Sequence, residues 1–74
     1  MYPDSYRLHD EAMMSADAAD QCRRCGDVAG RIKALDAAIE YERAAIEAWP
    51  TLDRWLHVLR HSLESLVNER NTLR

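Results

Sequence analysis

Seventy-four residues with 10 basic and 13 acidic side chains, a formal net charge of −3 and 47% hydrophobic content describe one small, mildly acidic unit, residues 1–74 as a single helical domain. That balance leaves no basic footprint for nucleic acid, and no stretch approaches the roughly 18 apolar residues of a membrane span. A chain this short buries only about 60% of its unfolded surface, so self-association, metal or disulfides are expected to supplement its core.

The first twenty residues hold Asp4, Asp10, Glu11, Asp17 and Asp20 against Arg7 alone, whereas the remainder is close to neutral. The opening MYPDSYRLHDEAMM has neither the basic start nor the apolar run of a secretory leader. Two cysteines three positions apart would close only a tiny loop, and the expectation is a cytoplasmic protein with reduced thiols. Nine arginines against one lysine suggest a GC-rich bacterial or phage genome.

In chain order, Pro3, Asp4 and Ser5 suit a helix start, and Leu8, Ala12, Ala16, Ala19 and Cys22 form a thin stripe of small residues over about 5–25. The segment CRRCGDVAG follows, with both cysteines and both glycines of the chain. A second helix is expected over about 27–48, with Asp27 as its N-cap after Gly26. Val28, Ile32, Leu35, Ile39, Ile46 and Trp49 step along it by threes and fours, with Glu42 in the odd place. Beside that seam lies another of Ala34, Ala38, Tyr41, Ala45 and Ala48, so the helix expects two neighbours. The N-terminal helix supplies one of them in either of two ways. It docks as a third helix after a turn at Cys25–Gly26, or it continues into the second helix and packs on another chain. Glycines at 26 and 30 favour the turn, while a connection of one or two residues favours continuity.

The third helix carries the strongest pattern. Leu52, Leu56, Leu59, Leu63, Leu66 and Leu73 keep heptad rhythm over about 51–73, Arg70 fills the missing place, and Thr51 is the expected N-cap. With the second helix it forms an antiparallel hairpin turning near Trp49–Pro50, and the fold class is all-α. That turn would bring Arg70 opposite Ala29, within reach of Asp27, and Glu42 opposite Leu59, beside Arg60 and His57. A helical-bundle homodimer is the expected assembly.

Candidate chemistry is thin. Cys22 and Cys25 with His57 and His61 have zinc-ligand types, but 31 residues separate Cys25 from His57, and the hairpin would hold them about 25–30 Å apart. Only a site shared between subunits survives that geometry. The CxxC pair beside Arg23, Arg24 and a helix start allows a thiol-redox or metal-sensing regulator, although no strand precedes it as in thioredoxin-like motifs. A small helix-turn-helix-like DNA-binding regulator is the other alternative, weakened because Arg31, Lys33 and Arg43 are diluted by Asp36, Glu40, Glu42 and Glu47. His9, His57 and His61 read as surface residues, and GDVAG lacks the lysine of a phosphate loop.

Neither a catalytic motif nor a set of cofactor or metal ligands emerges, and no enzyme, nucleic-acid or membrane role is expected. The reading is a non-enzymatic protein-interaction module, an adaptor, chaperone or inhibitor, that pairs with itself and engages a larger protein. Its expected contact residues are Tyr41, Arg54, Trp55 and Val58, with Ala34, Ala38 and Ala45 as the small-residue seam.

Overall fold

The computed structural model describes residues 3–73, and among them the chain is all helix and connection. Its elements are α1 (Pro3–Cys25), α2 (Val28–Glu47) and α3 (Arg54–Asn71), forming a small bundle. No helix among the described residues is long and apolar enough to cross a membrane.

The break between α1 and α2 resolves the choice left open by the two-residue connection, because both residues serve twice. Gly26 takes φ +76°, a left-handed value that glycine tolerates without strain. Its N–H donates to Arg23 O at 3.2 Å and that of Asp27 to Cys22 O at 2.9 Å, the paired bonds of a Schellman ending. Asp27 then caps α2, its carboxyl accepting from Gly30 N at 2.9 Å. Asp4 in the first turn of α1 and Arg23 and Arg24 in its last complement the helix dipole.

At the other connection the structure departs from expectation. Pro50 lacks an N–H, residues 48–53 leave the helix, and α3 starts only at Arg54. The N-cap is Asp53, not Thr51: its Oδ1 accepts from Trp55 N at 3.1 Å and Leu56 N at 3.3 Å. A carboxylate outcompetes a hydroxyl at the positive end of a helix, and Thr51 instead donates to Asp53 Oδ2 at 3.1 Å. Leu52, first of the expected seam, lies outside the helix and is 87% exposed.

The longer connection also shifts the register. Arg70 pairs with Asp36 (Nε to Oδ1, 2.8 Å), two turns beyond Ala29, and Arg31 with Glu69 at 3.0 Å. Glu42 meets Ser62, not Leu59 with Arg60 and His57. Ser5 reaches Ala45 and His9 reaches Glu42 across α1 and α2, so numbers rise along α1 as they fall along α2.

Ser5, Ala12 and Ala19 are buried from α1, and Leu35, Ala38, Ile39, Glu42 and Ala45 from α2. Along α1, the inward stripe steps through Ser5, His9, Ala12, Ala16 and Ala19, of which His9 and Ala16 are half-buried, as are Leu8 and Cys22. Leu56, Leu59 and Leu66 are buried from α3. Ala19, Leu35, Ala38, Ile39 and Leu66 form the apolar core towards the Gly26 end, flanked by Ala16, Ala34, Leu63, Val67 and Leu73. Short side chains let the α1 and α2 backbones approach more closely than leucines allow α2 and α3.

Candidate interaction surface

The end of the bundle away from Gly26 is polar inside and aromatic outside. Its centre is Glu42, fully buried from α2 and reached from both other helices. His9 Nδ1 lies 2.8 and 3.0 Å from the two carboxyl oxygens, and Ser62 Oγ donates to Oε2 at 2.6 Å. Burying an acid group costs several kcal/mol unless its oxygens are satisfied, and these two partners satisfy both. The expectation of His9 as a surface residue is thus corrected, since its side chain is only 17% exposed. Glu42, expected in the seam beside Arg60 and His57, is fully enclosed with His9 and Ser62 as its partners.

A second chain of bonds runs alongside. Trp55 Nε1 donates to Ser5 Oγ at 2.9 Å, and Ser5 donates on to the Ala45 carbonyl at 3.0 Å. Ala48 N and Trp49 N donate to Ala44 O and Ile46 O, so Ser5 supplies a partner to a carbonyl in the last turn of α2, where helical donors run out. Trp49 Nε1 donates to Asp53 Oδ1 at 2.9 Å, tying the end of α2 to the cap of α3. That indole bond is the main reason the Asp53 carboxyl is held below its usual range, with desolvation opposing and the Leu56 N–H, Thr51 hydroxyl and Trp55 N–H assisting. Asp20 is likewise lowered at the far end, chiefly by its hydrogen bond from Arg23.

Over this frame lie the rings. Tyr6 packs on Trp55 with centroids 4.7 Å apart and meets Trp49 edge-on at 5.6 Å. Trp55 also meets the His9 ring edge-on at 5.1 Å and Trp49 at 6.4 Å. Rings this close fill the space between them, so they form a platform and not a cage around a bound cation. Chemically, Glu42 occupies the middle of the Ser62–Glu42–His9 chain. A nucleophilic serine needs the imidazole there to take its proton, and Ser62 gives its proton to the carboxyl instead. Among the described residues, no three His, Cys, Asp or Glu side chains converge as a metal site.

The expected contact residues divide. Arg54 and Val58 are exposed on the first turns of α3, and Tyr41 is exposed on α2. Trp55 is half-buried and anchored to Ser5, so it works from beneath the surface. Ala38 and Ala45 are fully buried and Ala34 flanks the core, and these alanines take their contacts within the chain. Tyr6 and Leu52 were not anticipated, yet like Val58 they are exposed apolar side chains near this end, 49%, 87% and 43% accessible for Tyr6, Leu52 and Val58. A separate open groove of about 510 Å³ between α2 and α3 is lined by Asp36, Ile39, Arg43, Val67 and Arg70 among others, with charges of both signs.

Comparison with protein-family models, with curated proteins and with solved structures finds no match to this chain. Any functional reading therefore stands on the geometry.

Proposed function

We propose that the chain is a non-enzymatic protein-interaction module, an adaptor, chaperone or inhibitor. It self-associates and engages a larger protein through the aromatic end of the bundle. One observation carries the reading: Tyr6, held by its packing on Trp49 and Trp55, stays exposed at the end of the bundle that also leaves Leu52 and Val58 exposed. Aromatic side chains fixed by internal bonds lose little conformational freedom on binding, and a central apolar contact flanked by arginine is the usual anchor of an interface. Arg54 and Arg7 supply exposed cations in the same two helix ends. Tyr41 extends the surface along α2. The module belongs to the cytoplasm in this reading, where two free thiols persist.

A homodimer is part of the proposal, supported by the apolar end and by the small core of so short a chain. Sedimentation velocity over a range of concentrations, paired with affinity capture, tests both parts. The variant Leu52→Asp with Val58→Asp leaves the helix seams untouched and is expected to sediment as monomer and to lose the captured protein. Unchanged sedimentation would remove the dimer from the reading, and undiminished capture would move the binding surface elsewhere.

A further inference from the structure

We propose that Cys22 and Cys25 form a reversible thiol–disulfide couple, oxidised by a small-molecule disulfide such as glutathione disulfide, whose state sets the geometry of the α1–α2 turn. The inference is independent of the interaction surface, which lies at the opposite end of the bundle. Both thiols are free, Cys22 half-buried and Cys25 exposed, and they occupy the last turn of α1.

Three features of the turn set this pair apart from two incidental surface cysteines. Cys22 is packed onto the start of α2: a methyl group placed on Gly30 would collide with the Asp27 carboxyl and lie 3.0 Å from Cys22 Sγ. A cavity of about 60 Å³ opens there, lined by Cys22, Arg23, Gly26, Asp27, Val28 and Arg31. Arg31 reaches Glu69 through one terminal nitrogen, while its Nε is buried without a hydrogen-bond partner. Arg23, paired with Asp20, and Arg31, paired with Glu69, line that cavity together with the Asp27 carboxylate, so charges of both signs surround the Cys22 thiol.

Geometry couples the bond to the turn. Residues three apart in a helix have Cα atoms about 5 Å apart, inside the range of roughly 4.4–6.8 Å that a disulfide spans. Their Cβ atoms, at about 5–6 Å, are further apart than the roughly 3.5–4.5 Å a disulfide requires. The last turn must therefore tighten. Cys25 is the residue able to move, because it ends α1 and is followed by Gly26 at positive φ. The bonds disturbed are those closing the turn, from Asp27 N to Cys22 O and from Gly26 N to Arg23 O.

The exchange balances in two displacements. The Cys25 thiolate attacks one sulfur of glutathione disulfide, and the first glutathione leaves with the proton that Cys25 gave up. The Cys22 thiolate then attacks the Cys25 sulfur of the mixed disulfide, and the second glutathione leaves with the proton from Cys22. Two thiols lose two hydrogens, one disulfide becomes two glutathione thiols, and excess glutathione reverses the sequence.

The test uses the whole chain in glutathione buffers, with acid quenching, mass spectrometry and amide hydrogen exchange. Expected is a monomeric species lighter by two hydrogens, abolished by Cys25→Ser, a substitution at an exposed side chain that leaves the fold intact. On oxidation, exchange at the Gly26 and Asp27 amides should accelerate by about tenfold while the α3 amides stay unchanged. A disulfide joining two chains, or glutathione adducts on both thiols without an internal bond, would overturn the couple. An internal disulfide that left exchange at Gly26 and Asp27 unaltered would overturn its link to the turn.

Discussion

The two faces of α2 are built on opposite principles. Towards α1 the buried side chains are Ser5, Ala12 and Ala19 against Ala38 and Ala45, so backbone lies close to backbone. Little apolar area is buried per residue there, and stability comes from dense packing and from Ser5 bonding a backbone carbonyl. Towards α3 the interface is made by Leu56, Leu59 and Leu66, which bury much larger apolar surfaces at a wider spacing. A close interface fails when something is enlarged. A leucine interface fails when something is removed.

Substitutions can break that contrast in a definite order. Glu42→Ala strikes both faces at once, because it strips His9 of α1 and Ser62 of α3 of their shared partner. Chemical denaturation should show a loss of about 3–5 kcal/mol. A loss under 1 kcal/mol would mean that the three side chains do not hold the helices together. Leu59→Ala, at a fully buried position, should cost about 2–5 kcal/mol in the same measurement. On the α1 face, alanine has almost nothing to remove, so the informative change is Ala12→Leu, expected to cost about 1–3 kcal/mol by forcing the helices apart. If Ala12→Leu stabilised the chain, the close approach of α1 to α2 would be in error. Smaller still is Gly26→Ala, about 1–2 kcal/mol, from placing a Cβ at φ +76°.

The contrast also explains what the sequence revealed. Leucines at heptad spacing announced the α3 seam, since large apolar residues have few other places to go. The α1 stripe was half visible: Ala12, Ala16 and Ala19 stand in rhythm, and Ser5 and His9 continue it backwards by three and four. Polarity hid those two, although the period alone could have assigned them to the buried face. Glu42 was hidden for a different reason. A charged residue in a seam has several remedies, and the partners it uses lie 33 and 20 positions away, beyond any local pattern. The connection after α2 misled through Thr51, because the cap is taken by Asp53 two residues further on, which also accepts from Trp49 Nε1. The later start of α3 shifts its register and leaves Leu52 on the surface, where it becomes part of the candidate interface. Arg54 and Val58 were identifiable as exposed positions flanking the seam, whereas Tyr6 required the tertiary approach of α1 to the α3 start.

The smallest effect tests the join between the two faces. Asp53 caps α3 and receives the Trp49 indole, and its carboxyl is held below the ordinary range by that bond first. Folding therefore favours its ionised form, which contributes stability at every pH above the ordinary unfolded value of 3.8. As pH falls below that value the unfolded chain takes up the proton first, and the contribution disappears as pH drops through the folded value. Asn serves as an N-cap about as well as Asp but does not titrate. Asp53→Asn should therefore follow the parent chain in parallel from neutrality down to about pH 4 and diverge only below it, the parent losing stability more steeply. Asp20, lowered by Arg23 at the other end, titrates in the same region of both proteins and cancels in the difference. Thermal melts at successive pH values measure that difference directly. Parallel curves throughout the acid range would show that the carboxyl at the head of α3 is not stabilised by folding, and that the indole of Trp49 does not join α2 to α3 in the way its 2.9 Å bond implies.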